Sequence, residues 1–390
     1  MRAMIMAAGL GTRLMPLTAT LPKPMVPVVG RPALGHILDL LRRHGVTEVV
    51  VNLHHFPDTI SAVFGDGAEL GMSIAYSYEE ELLGTAGGVK NNQAFLEGGT
   101  FLVMSGDSLT DVDLTRLVTA HRDSGGICSL GVMPVGDTTE YGVVVIDEQR
   151  RVLGFQEKPA PEDALSDLCN CGIYVFEPEI FKHIPADTFY DFGRQVFHDL
   201  LAKDVPFHAH TISGYWSDVG GLDAYRAGNF DALTGAVMVE MAGAIAADTP
   251  ESGALGPAAV EPAALEWHSG GGSPRRFIGE GVTVAATARI EGPVYVGPGC
   301  TVDEHATLVG PVVIAGGCVI GAGSRIAESI LWEDCRVDAD CVVEESVFAR
   351  GVRVAGGAHV RRTVLGEGCR VAAGCSIEDQ ALDPGAMVDR

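Results

Sequence analysis

The stretch IEGPVYVGPGCTVDEHATLVGPVVIAGGCVIGAGSRI, residues 290–326, carries an apolar residue at every sixth position. Ile290, Val296, Val302, Leu308, Ile314, Ile320 and Ile326 mark the beat. The series extends back through Val284 to Ile278 and on through Leu331, Val337, Val343, Phe348, Val354, Val360, Leu365, Val371 and Ile377. After Ile326 the steps run 5, 6, 6, so each coil shortens from 18 to 17 residues. A period of six fits neither a helix nor a single long strand. Three hexads per coil describe a triangular prism of parallel β-structure whose apolar residues point inward. Four residues after each beat stands a second small or β-branched residue: Val294, Cys300, Ala306, Val312, Cys318, Ser324. Cys335, Cys341, Cys369 and Cys375 share that slot, so six of the nine cysteines read as small core residues rather than metal ligands.

Upstream the pattern changes. Over residues 1–234, apolar runs alternate with helical patterns. MRAMIMAA, TEVVVNLHH, MSIAYS and TFLVMSGD read as strands, and RPALGHILDLLRRHG places Leu34, Ile37, Leu38 and Leu41 on one helical face. This predicts an α/β domain with a mixed, mostly parallel sheet, whose ligands would gather beyond the C-terminal strand ends. Residues 235–277 dissolve into Ala, Gly, Pro and Glu and read as a linker, leaving 278–390 to the repeat. At 390 residues the chain exceeds a single core. Its 51 acidic and 27 basic residues give a formal charge of −24, which speaks against a nucleic acid or an anionic membrane as partner. No apolar run reaches the length of a membrane span and no cleavable signal stands at the N-terminus, so a cytoplasmic protein is expected.

The chemistry concentrates in MAAGLGTRLMPLTATLPKP, residues 6–24. Ala8, Gly9 and Gly11 let backbone amides approach a ligand, Thr12 adds a hydroxyl, and Arg13 adds a forked cation suited to phosphate oxygens. Lys23 adds a second cation between Pro22 and Pro24. A P-loop would close on Gly-Lys-Ser/Thr, and a dinucleotide fingerprint would need glycine where Leu14 stands, so neither of those cradles is present.

With the segments downstream, this stretch resembles the signature of the sugar-1-phosphate nucleotidyltransferases, G-x-G-T-R followed by P-K-P. The resemblance covers nearly the whole chain. It implies a Rossmann-like catalytic domain followed by a left-handed parallel β-helix of hexapeptide repeats; the handedness comes from the resemblance alone. LLGTAGGV at 82–89 is similar to the segment that meets base and ribose, through Gly84 and Thr85. SGD at 105–107 and GYWSDVG at 214–220 would supply two metal carboxylates, Asp107 and Asp218, for Mg2+. EYGVVV, GFQEKP and NCGIYVF resemble the sugar-phosphate side, implying Gly142, Glu157, Lys158, Asn170 and Gly172 as contacts. The implied reaction is attack of a hexose 1-phosphate on the α-phosphorus of a nucleoside triphosphate, with pyrophosphate leaving. Such chemistry needs positioning and charge neutralisation rather than a protein nucleophile. Arg13 and Lys23 would offset triphosphate charge, and Lys158 would hold the attacking phosphate.

Among the family's branches the motifs resemble most those of mannose-1-phosphate guanylyltransferase, with glucose-1-phosphate thymidylyl- or uridylyltransferases second. Adenylyltransferases usually show Ala-Lys-Pro where Pro22-Lys23-Pro24 stands. Three departures are visible: Met15 in place of a second arginine, Ser108 in place of asparagine or aspartate, and VGG after Asp218. Two other classes are open. One is acyl transfer by the repeat, though His305 and His359 sit in no such motif. The other is a non-catalytic nucleotide-sugar sensor, which would be free to lose Arg13, Lys23, Asp107, Lys158 and Asp218. His54 and His55 point apart in an extended chain and are expected to have structural or surface roles rather than to bind a metal. Asp113 is expected to open the helix before Leu114, and DFGR at 191–194 to open the helix containing Val196, Phe197 and Leu200. Exposed coil edges predict a homo-oligomer.

Overall fold

The computed structural model describes residues 1–241, 244–245 and 275–389, so most of the expected linker lies outside the described residues. The chain forms two compact units. The first gathers Met1–Leu10, Pro22–Met25 and Leu34–Asp218; the second gathers Gly11–Leu21, Val26–Ala33 and Val219–Arg390. Among the described residues, no helix is long and apolar enough to cross a membrane.

The first unit is built on a nine-stranded sheet. Its strands are β1 (Arg2–Met6), β2 (Glu48–Leu53), β3 (Ser73–Tyr78) and β4 (Phe101–Ser105). A short strand β5 (Ser108–Thr110) stands apart, and the sheet continues with β6 (Cys128–Pro134), β7 (Gly142–Ile146) and β8 (Val152–Glu157). β9 (Leu168–Phe176) and β10 (His208–Thr211) complete it. β1 lies between β2 and β4, parallel to both, and β3 runs parallel beyond β2. Ala3, Met4 and Ile5 are fully buried, as a central parallel strand covered on both faces requires. The sheet turns antiparallel at β9, which pairs with β4, β6 and β7, and β8 returns against β7. It is therefore mixed, parallel around β1 and antiparallel around β9.

The helical expectations hold where they touch the site. α1 (Ala33–Arg43) buries Leu34, Ile37, Leu38 and Leu41. α2 spans Gly84–Asn91, and α3 spans Leu114–Ser124. The Asp113 carboxylate caps α3 by accepting from the Arg116 amide at 2.9 Å. Asp191 accepts from the Arg194 amide at 3.2 Å and opens the helical stretch of Phe192–Val196 and Phe197–Ala202. A two-stranded ribbon pairs β5 antiparallel with β11 (Trp216–Asp218), setting Ser108 opposite Asp218.

In the second unit, three parallel ladders of short strands wrap a dry interior. The six-residue beat lands inside: Val296, Val302, Leu308, Ile314, Ile320, Ile326, Leu331, Val337, Val343 and Phe348 have no exposed surface. All six repeat cysteines lie in that core as free thiols. The change from 18 to 17 residues happens at one corner. Longer coils turn it with Gly292-Pro293 and Gly310-Pro311; shorter ones use Glu328-Ser329, Glu345-Ser346 and Arg362-Thr363. Glu328, Glu345 and Arg362 take the left-handed conformation, with φ of 46°, 51° and 43°. Each hydroxyl that follows donates to the carbonyl two residues back: Ser329 to Ala327 at 2.6 Å, Ser346 to Glu344 at 2.7 Å and Thr363 to Arg361 at 2.8 Å. Ser329 then accepts the Ser346 amide, and Ser346 accepts the Thr363 amide, each at 3.1 Å. The lost residue is thus replaced by a buried hydroxyl ladder that satisfies the corner's polar groups. The unit also contains the antiparallel strands Pro27–Val28 and Arg31–Pro32 and the helix α4 (Leu222–Thr234).

Candidate functional site

The C-terminal ends of β1, β2 and β4 meet where the chain leaves the sheet. The Ala7 amide donates to Asn52 Oδ1 at 2.7 Å, Asn52 Nδ2 donates to Glu79 Oε1 at 2.8 Å, and Glu79 Oε2 accepts the Leu83 amide at 3.1 Å. Asn52 and Glu79 are buried, so the Ala7–Ala8–Gly9 turn is tied to the start of α2. Neither residue was singled out in the sequence; the available signal was a polar residue closing an apolar strand. A Cβ on Gly9 would meet nothing within 4 Å, and its φ is not left-handed, so neither packing nor backbone demands glycine there. Gly106 is the contrary case. Its amide donates to the Met6 carbonyl at 2.9 Å, and a Cβ would stand 2.8 Å from that oxygen. Glycine is what lets β4 close on β1 and deliver Asp107.

At that point lies the cluster that dominates the unit. Lys23, 7% exposed, sends Nζ to Asp107 Oδ2 at 2.5 Å and to Asp218 Oδ1 at 3.2 Å. Burial would lower the Lys23 pKa, but the charges of Asp107 and Asp218 outweigh it and hold the ammonium above its ordinary value. Burial would likewise raise Asp107, yet the Lys23 charge and hydrogen bond, with the Ser105 hydroxyl, hold it below the carboxylate range. Lys23 and Asp107 thus support each other's charged forms, and Asp218 is the second carboxyl within reach of the ammonium.

A second set is assembled beside it. Glu157 ends β8 opposite Gly142, the first residue of β7. A Cβ on Gly142 would lie 2.6 Å from Phe155 Cζ and 3.2 Å from Glu157 Oε2, so glycine there makes room for the Phe155 ring and leaves the carboxylate close against the backbone. Burial and then the charge of Asp191 push the Glu157 carboxyl up, against Lys158, Arg194 and His198. The Thr85 hydroxyl donates to Asp191 Oδ2 at 2.8 Å and accepts the Phe192 amide at 2.9 Å, so its one proton is committed to the protein. Gly84 takes φ 74° at the head of α2. Asn170 Nδ2 donates to the Tyr174 hydroxyl at 2.8 Å, and its Oδ1 accepts the Gly172 amide at 3.3 Å. The register of β9 shifts between Asn170 and Tyr174, and Gly172 turns the chain there at φ 66°. Lys158 is left-handed at φ 49° and anchored by its amide to the Tyr141 carbonyl at 3.0 Å, with Nζ 3.7 Å from Glu140 Oε2. The Tyr141 ring meets the Trp216 ring edge-on at 5.5 Å, joining the Lys158 segment to the strand that carries Asp218.

Gly11, Thr12 and Arg13 belong to the second unit. Gly11 is left-handed at φ 65° and opens a turn over Thr12–Leu14; its carbonyl accepts the Thr18 hydroxyl at 2.8 Å, and Arg13 is exposed. Within the first unit the structure brings together Lys23, Asp107 and Asp218, and separately Gly142 and Glu157. His54 is structural, its Nδ1 lying 2.9 Å from the Glu79 carbonyl.

Among the described residues no group of three His, Cys, Asp or Glu side chains could hold a metal. The donor set is instead two carboxylates that one cation already spans. This fits Mg2+, which binds through one or two carboxylates and takes its other oxygens from water and phosphate.

Compared with known proteins, residues 2–235 match the family described as Nucleotidyl transferase. Residues 274–377 match the EIF2B subunit epsilon LbH domain, which identifies the three-laddered prism as a left-handed β-helix. The UTP–glucose-1-phosphate uridylyltransferase of Synechocystis sp. is 42% identical over 238 residues, which are 58% of this chain and 61% of that protein. The mannose-1-phosphate guanylyltransferase of Mycobacterium tuberculosis is 33% identical over 343 residues, 88% of this chain and 82% of that one. The crystal structure of HddC from Yersinia pseudotuberculosis superposes with a TM-score of 0.51 at 27% identity, covering 58% of this chain and 97% of HddC.

Proposed function

The chain belongs to the nucleotidyl transferase family, and from that premise we propose that it transfers a nucleotidyl group from a nucleoside triphosphate to a hexose 1-phosphate. A sugar-phosphate oxygen forms a bond to the α-phosphorus, the bond from that phosphorus to the β-phosphate oxygen breaks, and pyrophosphate leaves with the electron pair. The observation that carries this reading is the buried Lys23 bridging Asp107 and Asp218, a charge cluster with no folding purpose that an apolar trio could not serve better.

The residues take the following roles. Ala8, Gly9, Gly11 and Thr12 present amides and a hydroxyl to the triphosphate, and the unfilled space at Gly9 suits backbone approach to a ligand. Gly84 and Thr85 border the base and ribose; the Thr85 side chain acts from behind, fixing Asp191 and Phe192. Arg13 and Lys23 offset charge on the triphosphate and the leaving pyrophosphate. Lys158 holds the attacking phosphate, and Gly142, Glu157, Asn170 and Gly172 receive the sugar. Nucleotidyltransferases of this family use a divalent metal; Mg2+, held by Asp107 and Asp218, would supply charge neutralisation at the α-phosphate.

GTP and mannose 1-phosphate are the substrates proposed, because the guanylyltransferase relative aligns through both the catalytic part and the repeat. UTP and glucose 1-phosphate are the second reading, favoured by the higher identity to the uridylyltransferase over the catalytic part. We assign residues 1–234 to catalysis, 235–277 to a linker and 278–390 to the β-helix, in a cytoplasmic homo-oligomer that binds neither nucleic acid nor membrane. Sedimentation of the full chain checks the oligomeric state.

Pyrophosphate release with Mg2+ tests the rest, with GTP, UTP, dTTP, ATP and CTP each set against mannose, glucose and N-acetylglucosamine 1-phosphates. Turnover confined to GTP and mannose 1-phosphate is expected. Turnover with UTP or dTTP and glucose 1-phosphate would keep the mechanism and change the substrates. Silence throughout would favour the non-catalytic sensor.

A further inference from the structure

One ladder of the β-helix carries a row of arginines that its packing does not ask for. The outward residue one place before the beat is Thr283, Thr301 and Val319 in the first coils, then Arg336, Arg353 and Arg370, and finally Met387. Arg336 pairs in register with Arg353, and Arg353 with Arg370, so the three leave the sheet one strand spacing apart, about 4.8 Å. All three are exposed. Like charges set directly opposite each other across a ladder repel.

What distinguishes the row is which of its arginines are neutralised. Arg336 Nε donates to Asp338 Oδ1 at 2.9 Å, a carboxylate two residues on in its own coil. In the next two coils that slot holds Ala355 and Ala372, and aspartate returns only at Asp389. The slot is the same one, because the amides of Asp338, Ala355 and Ala372 donate to the carbonyls of Val354, Val371 and Val388, each at 2.9 Å. Among the described residues, no carboxylate pairs with Arg353 or Arg370. Elsewhere on the prism Arg325 meets Glu344 at 3.3 Å, Arg350 meets Glu333 at 3.7 Å and Arg362 meets Asp379 at 2.7 Å. The row lines an open groove of about 390 Å³. Along the ladder Asp338 and Asp389 stand at its two ends, with Ala355 and Ala372 between them, and Met387 is 71% exposed beyond Arg370.

We propose that Arg353 and Arg370 form a binding site for a diphosphate group. Each guanidinium is a planar fork that takes phosphate oxygens in pairs, and two forks one strand spacing apart suit an anion with two adjacent phosphoryl centres. Alanine at 355 and 372 leaves both forks free for that anion. The carboxylates at the ends restrict the ligand to a compact one, since a long polyanion lying along the ladder would cross Asp338 or Asp389. In a chain of formal charge −24, the row is a local reversal of sign. Free pyrophosphate and a nucleoside diphosphate share the recognised group; the second would lay its base against Met387. None of these residues takes part in nucleotidyl transfer as assigned above, so the site stands or falls without that reading.

The test is isothermal titration of the full chain with inorganic pyrophosphate and, separately, with ADP, in metal-free buffer at low salt. A catalytic site for triphosphates could take up the same probes, so the readout is the binding event that differs between wild type and Arg353→Ala/Arg370→Ala. That double variant is expected to weaken one pyrophosphate event at least about 10-fold, and orthophosphate should bind there about 10-fold more weakly than pyrophosphate. Ala355→Asp/Ala372→Asp keeps both guanidinium groups but gives each the partner that Arg336 has, and it should lose the same event. Arg325→Ala/Arg361→Ala removes equal charge elsewhere on the prism and should retain it. All variants should keep the wild-type kcat and melt within a few degrees of wild type. ADP binding tighter than pyrophosphate would assign a nucleoside diphosphate, and equal or weaker binding the free anion; both uphold the site. The proposal falls if Arg353→Ala/Arg370→Ala titrates like wild type with both probes, if the Arg325→Ala/Arg361→Ala control loses the event equally, or if orthophosphate binds as tightly as pyrophosphate. A chain silent in every pyrophosphate-release assay that still shows the event would end the transfer reading and leave this one in place.

Discussion

Both units bury polar side chains, and they do so to opposite ends. In the β-helix, Ser329, Ser346 and Thr363 are spaced one coil apart, and each is spent on carbonyls and amides next to it. Remove the backbone they serve and they have no purpose. In the α/β unit the buried polar groups come from distant parts of the chain and converge: Lys23 on Asp107 and Asp218, Asn52 on Glu79 and the Ala7 amide. These hold charge and open strand ends in one place. Periodic buried polarity closes a fold; aperiodic, convergent buried polarity builds a site.

That contrast breaks first at Asp107. Asp107→Asn should lower turnover by at least about 100-fold and should also lower the melting temperature, because it leaves the buried Lys23 ammonium with only Asp218 as counter-charge. Pyrophosphate release and a thermal melt together check it, and retained turnover would return the cluster to a structural role. Lys158 lies at the exposed margin. Lys158→Ala should raise the KM for sugar 1-phosphate about 10-fold with the nucleotide KM little changed, by steady-state kinetics; the reverse pattern would move Lys158 to the triphosphate.

The opposite signature belongs to the ladder. Ser346→Ala leaves the Thr363 amide without its buried acceptor, and should cost about 1–2 kcal/mol of stability in denaturant titration with turnover unchanged. A further effect, confined to low pH, is expected at a half-buried polar group that belongs to neither class. His210 is pushed down to about 4 by burial and then by His208, Arg150 and His121. Its folded pKa lies below its ordinary 6.5, so it stays neutral while the unfolded chain takes up a proton. Stability is therefore whole above about pH 6.5 and falls as pH drops toward 4. The drop from 6.5 to about 4 corresponds to at most about 3 kcal/mol, which solvent around the half-buried ring reduces, and His210→Phe should flatten that part of the profile. Equal slopes in the two proteins would exclude His210 as the cause.

How much of this could be read in the chain follows the same division. The hexad beat exposes the β-helix because every coil repeats one packing problem, and the strands around β1 show through because both faces are buried. SGD and PKP mark Asp107 and Lys23 as individuals. Their meeting with Asp218 is a pairing across the whole first unit, and no spacing encodes it. The same is true of Asn52 with Glu79 and of Thr85 with Asp191. The covered face of the prism did leave a trace that the six-residue beat overlooks. Two of its ladders show outward polar residues, as in RIE, RIA and HVR of one and TV and RV of the other, whereas the third reads VYV, VVI and ILW. Outward Tyr295, Val313 and Trp332 are buried there, and Trp332 Nε1 donates to the Tyr225 hydroxyl of α4 at 2.8 Å.

The hydroxyl ladder has a consequence for how such a domain can change over generations. Each corner hands its amide to the coil before and offers its hydroxyl to the coil after, so neighbouring coils are interchangeable modules with matching ends. A whole coil of 17 residues could be duplicated or excised with every corner still paired, whereas a single-residue insertion would throw each later corner out of phase. Length here is counted in coils, and the chain is free to drift only in those whole steps.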